Sequence, residues 1–324
     1  MSRDFDRNKL RMKSLRDRTS KVSADLLVGH LDCGAPAGDF ADELPDVLAV
    51  RDMRKLAEAL VRARASGGER ILMYGGHVIK CGLGPLLVKW LRSGIVSALA
   101  TNGAGTIHDV EMSLFGETSE DVEAGIADGS FGMWKETGEV YSAGLQRASE
   151  GSMGLGEALG REILQRGGDI DMSPLAAAAD EGVPVTVHPA LGGDIVHPYP
   201  NVGWREMAEA AERDFDLLGS RIAGLSSGVV INAGSAVVMP EVFLKLLTSA
   251  INLGSSICDI TTASFDMIRQ YRPLQNVVFR PARALGGEPI VITGHHELML
   301  PLLDIFIQAE EISPGRRSKR EGGS

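Results

Sequence analysis

Apolar and polar positions follow two alternating patterns along the middle of the chain. Short apolar runs have the length of buried strands, and longer stretches between them repeat apolar residues at the helical period. This alternation is typical of a parallel sheet covered by helices. Its first unit predicts strands at 70–74 and 95–101 and helices at 83–91 and 106–115.

The same alternation continues through the C-terminal half. Ser173 and Pro174 predict the start of a helix over 175–180, because serine caps a helix and proline is tolerated in its first turn. The remaining pattern predicts strands at 183–187, 228–232, 257–260 and 289–293, and helices at 205–218, 240–251 and 298–309. We therefore predict one doubly wound, mostly parallel, Rossmann-like α/β domain over residues 25–312, with helices on both faces. Gly and Glu accumulate over 116–168, which predicts a less regular insertion.

The two ends of the chain differ from this domain. The first 21 residues contain eight Lys or Arg, so residues 1–24 are predicted to form a mobile basic arm. Docking of this arm on the acidic body of a neighbouring subunit is the alternative. Residues 313–324 are polar and Gly-rich, which predicts a disordered tail.

Composition and charge exclude several classes of protein. The chain has 33 Lys plus Arg against 43 Asp plus Glu, a net charge of -10, which argues against nucleic acid as a partner. No apolar stretch is long enough for a bilayer-spanning helix, so no membrane partner is expected. Cys33, Cys81 and Cys258 are odd in number and lack CxxC spacing, which favours a reduced, cytoplasmic protein without disulfides or zinc.

Four Gly-rich turns follow predicted strands. In doubly wound sheets ligands bind beyond the carboxyl ends of the strands, and glycine there lets backbone N–H groups and a helix N-terminus approach a phosphate. We therefore expect a nucleotide or dinucleotide ligand, although neither early turn completes GxGxxG. Tight turns that need a positive φ are the alternative explanation. The turns are 75–84, 102–109, 188–197 and 232–236.

Polar residues accumulate at the same places. Six of the seven histidines, all except His30, follow predicted strands, which indicates a shared pocket at one rim of the sheet, although any one of them can be structural. No HExxH or GxSxG sequence occurs, so we expect neither a metal centre nor a serine hydrolase.

Four segments resemble the deoxyhypusine synthase family. VPVTVHPALGGDIVHPY (183–199) is similar to the family's Pro-Ala-Leu stretch ending in Gly-Asp, and CDITTASFD (258–266) is similar to its Asn-Thr-Ala loop. PIVITGHHELMLPLLDIFI (289–307) resembles its closing strand and helix. ATNGAGTIHDVE (100–111) resembles the family's cofactor loop and, more closely, the ornithine-cyclising domain of bifunctional arginine dihydrolases.

This resemblance implies a Rossmann-like fold, bound NAD and a homo-oligomer, a tetramer. Hydride transfer would belong to the cofactor, while the protein orients the substrate. A small cationic substrate would be attracted by Asp109, Asp194 and Asp266, with Glu297 as a further carboxylate, and His108 or His188 would accept the proton. The predicted catalytic set is therefore His108, Asp109, His188 and Asp194, and the predicted cofactor-binding set is Gly75, Gly76, Asn102, Gly103, Gly105, Thr262 and Asp266.

The sequence departs from the family at its imine-forming lysine. The family's Gly-Gly-Gly-Val-Val-Lys-His-His run is replaced by residues 234–241, with Met239 at the lysine position. Lys245, six residues further along a predicted helix, would not point the same way. His295, His296 and Glu297 replace the family's Asp-Ala-Ser ribose contact.

These departures lead to one hypothesis and two alternatives. We expect an NAD-dependent enzyme acting on a small cationic amine or amino acid, without the imine-forming lysine. The alternatives are a true deoxyhypusine synthase that uses another lysine, and a non-catalytic NAD-binding regulatory protein.

Overall fold

The structure of the protein is a computed structural model that describes residues 36–314 without a break, together with residues 7, 10–11, 13–14, 26–29 and 34. The predicted basic arm and the predicted tail fall largely outside the described residues. None of the helices in the described part of the chain has the length and apolar character needed to cross a bilayer.

Six parallel strands form one sheet in the order β3-β2-β1-β4-β5-β6. This order reverses direction at β1, as in the doubly wound dinucleotide-binding folds. The predicted α/β class is thus confirmed. The strands are β1 (Arg70–Tyr74), β2 (Ala98–Asn102), β3 (Val185–His188), β4 (Val229–Ala233), β5 (Thr261–Asp266) and β6 (Glu288–Thr293).

Helices cover both faces of the sheet. Leu72 and Tyr74 of β1 face the larger apolar cluster, while Ile71 and Met73 face the smaller one, as expected for alternating strand positions. The helices are α1 (Ala37–Glu43), α2 (Leu48–Ala65), α3 (Gly76–Lys80), α4 (Gly84–Arg92), α5 (Gly103–Phe115), α6 (Val122–Asp128), α7 (Lys135–Gly151), α8 (Leu155–Gln165), α9 (Pro174–Glu181), α10 (Trp204–Ala223), α11 (Val238–Asn252), α12 (Arg280–Leu285), α13 (His296–Ile312) and a π-helical segment (Pro273–Phe279).

The predicted strand at 257–260 is wrong, because β5 begins only at Thr261. Asp259 has a φ of 54°, a left-handed conformation that interrupts an extended strand. The strand itself contains buried threonine and serine residues. Thr262 Oγ1, for example, donates to the Val278 carbonyl at 3.0 Å.

The predicted irregular insertion over 116–168 is also wrong, since most of it forms α6, α7 and α8. Its glycines allow close packing. A side chain at Gly156 would overlap the Val185 carbonyl of β3, and one at Gly160 would overlap the Leu175 carbonyl of α9. Glycine therefore lets α8 lie directly on its neighbours, a role that sequence composition does not distinguish from loop formation.

Two fully buried carboxyl groups tie helices to their neighbouring elements. Asp109 Oδ2 accepts the Leu175 N–H in the first turn of α9 at 2.9 Å. Asp214 Oδ2 accepts the N–H groups of Gly156 in α8 and Val187 in β3 at 3.0 and 2.8 Å. The second oxygen of each carboxyl group has no partner. Burial therefore raises the pKa of both groups to about 7 despite these hydrogen bonds.

We expect the Asp214→Asn variant to change how stability depends on pH. The folded-state pKa of Asp214 lies above its ordinary value of 3.8, so folding takes up a proton between those two values. The wild-type free energy of unfolding therefore falls as the pH rises through this range. We expect the free energy of unfolding of wild type minus that of Asp214→Asn to decrease by on the order of 3 kcal/mol between about pH 4.5 and about pH 8. Denaturant titrations measure this difference.

Exposed Asp216 on the same helix supplies the matched control, because Asp216→Asn should leave the pH dependence unchanged. If the difference in free energy of unfolding between wild type and Asp214→Asn stays constant across this pH range, the raised pKa of Asp214 is contradicted.

Candidate functional site

Glycine turns after β1 and β4 meet where the strand order reverses. A side chain at Gly75 would overlap the Gly234 carbonyl, so the two turns are in close contact. Gly76, which begins α3, would place a side chain 3.0 Å from His108 Cδ2 and 3.1 Å from Ala104 of α5. The turns after β1, β2 and β4 therefore share one crevice at the carboxyl edge of the sheet.

The start of α5 is arranged around Asn102 and Gly103. Asn102 caps the helix, with its Oδ1 accepting the Gly105 N–H at 3.0 Å. The Asp194 carboxylate, from the loop after β3, occupies the space where a side chain of Gly103 would lie, and its Oδ2 accepts the Ala190 N–H at 2.9 Å. A negative group is favoured at this helix end, although burial raises the pKa of Asp194.

Gly105 packs α5 against β2. A side chain there would overlap Oγ1 of Thr101, whose hydroxyl donates to the Tyr74 carbonyl at 2.9 Å. The absent side chain lets α5 approach β2, and the amide of Gly105 is already used by Asn102.

A cavity of about 230 Å³ opens beside Asp194. It lies between α3, α5, the segment before α7 and the loop after β3. Its lining residues are Lys80, Ala104, Ile107, His108, Glu111, Ser119, Glu120, Val122, Phe131, Trp134, Gly193, Asp194 and Ile195.

A second cavity of about 300 Å³ adjoins the first and shares Glu111, Ser119, Glu120 and Trp134 with it. Glu117 and Glu136 add two more carboxylates to its wall. Lys80 is the basic residue in the lining of the pair. Carboxylates together with an aromatic wall provide the environment that binds organic cations.

His108 lines the first cavity and contacts Thr118, which lines the second. Its Nδ1 is 2.7 Å from Thr118 Oγ1, and Thr118 donates to Glu111 Oε2 at 2.6 Å. Burial, followed by the charge of Lys80, lowers the pKa of His108 to about 4. The imidazole is therefore neutral at pH 7 and has a lone pair available to accept a proton.

The other two predicted catalytic residues lie elsewhere. Asp109 is buried against the start of α9 and does not line the cavity. His188 is buried at the end of β3, with Nε2 3.1 Å from Thr186 Oγ1, and burial lowers its pKa to about 4. Of the predicted catalytic set, the structure brings together His108 and Asp194.

Two predicted cofactor residues occupy different positions on β5. Thr262 is at the amino-terminal end of the strand, away from the ligand edge, so its predicted location in a loop is wrong. Asp266 is at the carboxyl end, where its Oδ1 accepts the Ile268 N–H at 3.3 Å. Neither Asp266 nor Glu297 lines the cavity beside Asp194.

A separate histidine pair lies near the β4 turn. The ring centroids of His77 and His296 are 5.5 Å apart, and the interplanar angle of 67° gives an edge-to-face arrangement. His296 Nε2 donates to the Phe265 carbonyl at 3.1 Å, and its buried Nδ1 has no partner. Cys81 Sγ is 3.3 Å from His77 Nε2.

The predicted site sets did not include the residues that complete the cavity wall. Glu111 follows His108 by three positions, so both lie on one face of α5, and this spacing was a usable signal. Glu120 and Trp134 come from the insertion, where no periodicity connects them to the glycine turns.

The structure resembles solved proteins that share this fold. A conserved LOR/SDH-type protein from Methanococcus maripaludis S2 has a TM-score of 0.50 at 16% identity, covering 91% of this chain and 75% of that one. A deoxyhypusine synthase-type protein from Entamoeba histolytica has a TM-score of 0.51 at 12% identity, covering 87% and 96%.

AgrE, solved as a ternary complex with ornithine and NAD⁺, has a TM-score of 0.51 at 15% identity, covering 82% of this chain and 34% of AgrE. The chain therefore spans about a third of the length of that relative. No known family's sequence model matches the chain, and no curated protein matches it in sequence. The chain thus has the deoxyhypusine synthase-like fold that its motifs indicated.

We expect the Lys80→Met variant to raise the pKa of His108. Burial is the larger cause of the lowered pKa and Lys80 the second, so removal of the ammonium group should move the pKa from about 4 partway toward the ordinary 6.5. NMR titration of the His108 ring protons measures this shift. Lys55→Met, at an exposed ion pair with Glu288, is the control, and an unchanged His108 pKa in Lys80→Met would contradict the expectation.

Proposed function

We propose that this protein is an NAD-dependent enzyme that oxidises a small cationic amine or amino acid. The observation that carries the proposal is the placement of neutral His108 and the Asp194 carboxylate in one acidic cavity beside the glycine crevice. The resemblance of the fold to AgrE, whose complex contains ornithine and NAD⁺, supports the same class of ligand.

The crevice at the strand-order reversal fits a dinucleotide. Gly75 and Gly76 let the turns after β1 and β4 and the start of α5 approach one another closely, and such glycine turns allow backbone N–H groups to approach a pyrophosphate. Asn232 Oδ1 and His296 Nδ1 are buried acceptors without partners on either side of the β4 turn. Hydroxyl or amide donors of the cofactor would satisfy them.

The N–H groups of Gly75 and Gly234 already donate to the Ala233 and Phe265 carbonyls. The cofactor would therefore lie against these turns, with the first amides of α3, which begins at Gly76, as donors and His296 as an acceptor. When bound, NAD⁺ would supply the acceptor for a hydride lost from the carbon beside the amine. The carboxylates of Asp194, Glu111 and Glu120 would hold the substrate cation, and His108 would take the ammonium proton on Nε2. The amine nitrogen then has a lone pair with which to stabilise the loss of hydride.

Imine formation with a protein lysine is not part of this proposal. Met239, at the family's lysine position, is fully buried in the first turn of α11. Lys245 is exposed and paired with Glu241 on the same helix. Neither residue offers an amine to the crevice, which supports an oxidative reaction over aminobutyl transfer.

We expect NAD⁺ or NADH to raise the melting temperature of the full chain. A ligand that binds only the folded state contributes about 2.7 kcal/mol at one hundred times its Kd. Gly76→Ala should reduce NADH affinity several-fold, because its side chain presses on Ala104 and His108. Gly38→Ala, whose side chain would lie in open space near Ala309, is the control.

Thermal shift and NADH fluorescence measure this binding. The cofactor proposal fails if NAD⁺, NADH and their phosphorylated forms all leave the melting temperature unchanged.

We expect the acidic cavity to bind ornithine, arginine or putrescine more tightly than an uncharged compound of similar size such as 1-butanol. Asp194→Asn should weaken this binding by about tenfold, the equivalent of about 1.4 kcal/mol. Glu150→Gln changes an exposed carboxylate on α7 and should have no effect.

Calorimetric titration measures these affinities. Equal affinity of wild type and Asp194→Asn for every cation in the panel would exclude this carboxylate from substrate binding.

A further inference from the structure

A chain of hydrogen-bonded hydroxyl and carboxyl groups begins at Nδ1 of His108. His108 and Glu111 lie one turn apart on α5, and Thr118 bridges them from the segment that follows the helix. Thr118 Oγ1 is 2.7 Å from His108 Nδ1 and 2.6 Å from Glu111 Oε2. The other Glu111 oxygen accepts the Thr137 hydroxyl at 3.1 Å, so both carboxylate oxygens are held.

The positions of the protons follow from these contacts. An ionised carboxylate can only accept hydrogen bonds, so the single hydroxyl proton of Thr118 points to Glu111. The Thr118 oxygen therefore presents a lone pair to His108, and Nδ1 of His108 must carry the proton. A neutral imidazole has one N–H, so Nε2 keeps its lone pair.

Nε2 is bonded to the ring atom of His108 that faces the glycine crevice. Cδ2, the ring atom beside Nε2, is 3.0 Å from the place that a Gly76 side chain would occupy. Cδ2 is thus turned toward the glycine crevice, while Nδ1 contacts Thr118. Lys80, Glu111, Glu120 and Asp194 are the charged groups that share the cavity with this ring.

We infer that Thr118 is a positioning residue that, backed by Glu111, holds His108 in the Nδ1–H tautomer and so keeps Nε2 free to accept a proton. The use of that lone pair on a substrate rests on the proposed function. The tautomer itself does not, because the contacts that fix it belong to the protein alone.

The test is a long-range ¹H–¹⁵N NMR spectrum of the full chain with ¹⁵N-labelled histidine at about pH 7, without ligand. His108, assigned with His108→Gln, should show a protonated Nδ1 and a bare Nε2. Two buried histidines give internal references. His197 Nδ1 donates to the Asp194 carbonyl at 3.0 Å, and His296 Nε2 donates to the Phe265 carbonyl at 3.1 Å, so they represent the two tautomers.

Three variants separate positioning from simple structural support. Thr118→Val removes the acceptor and should shift His108 toward the Nε2–H tautomer, whereas Thr118→Ser should restore the wild-type spectrum. Glu111→Gln should invert the relay, because an amide oxygen that accepts from Thr137 leaves the NH₂ group to donate to Thr118. Thr118 would then donate to Nδ1, and Nε2 would carry the proton.

A wild-type His108 with a protonated Nε2 would overturn the inference. The same holds for an unchanged tautomer in both Thr118→Val and Glu111→Gln. If Thr118→Val does not fold, the pair Thr118→Ser and Glu111→Gln still decides it. Failure of the proposed function would appear separately, as an absence of NAD or cation binding in a protein whose His108 spectrum is as expected.

For whichever amine is oxidised, Thr118→Val should lower kcat at least tenfold with little change in KM. Thr118→Ser should retain most of the wild-type kcat. An equal kcat in Thr118→Val and wild type would overturn the positioning role.

Discussion

The rotation of α5 about its own axis fixes the candidate site. Gly105 lies against Thr101 of β2, Thr106 shares a hydrogen bond with buried Tyr141, and Asp109 receives the Leu175 amide. These three contacts hold one side of the helix on the protein interior. Residues 104, 108 and 111 then lie on the opposite side, facing the cavity, because the helical period places them together. Because Asp109 is held on the inner side of α5, the side chain of the preceding residue, His108, faces the cavity.

This arrangement explains which parts of the site sequence reasoning could find. The glycine turns and the alternation of strands and helices are local signals, so the fold class and the edge that carries ligands were predictable. His108 and Asp109 are adjacent, however, and both have side chains suited to catalysis. Only the contacts of α5 with α9 and β2 decide that one is a buried cap and the other a cavity residue. The contact that decides the orientation of Asp109 joins it to Leu175, 66 positions away, and no local pattern encodes it.

The remaining differences have similar physical causes. β5 was misplaced because this buried strand contains threonine and serine, of which Thr262 donates its hydroxyl to the Val278 carbonyl of the π-helical segment. The more apolar residues just before it contain the left-handed Asp259. The helices of the insertion were missed because glycines that permit close packing of α8 have the same composition as a loop. In each case tertiary packing reversed the local preference.

The two sides of the cavity have separate origins in the chain. The groups beside the crevice, His108 and Asp194, belong to elements attached directly to the sheet. The outer wall, including Glu120, Phe131 and Trp134, belongs to the segment between α5 and α7, whose α6 has a single buried residue, Gly125. Substitutions in this segment therefore cost little core packing. A protein built this way can evolve a new ligand preference through one surface segment while its reactive groups and its fold stay as they are.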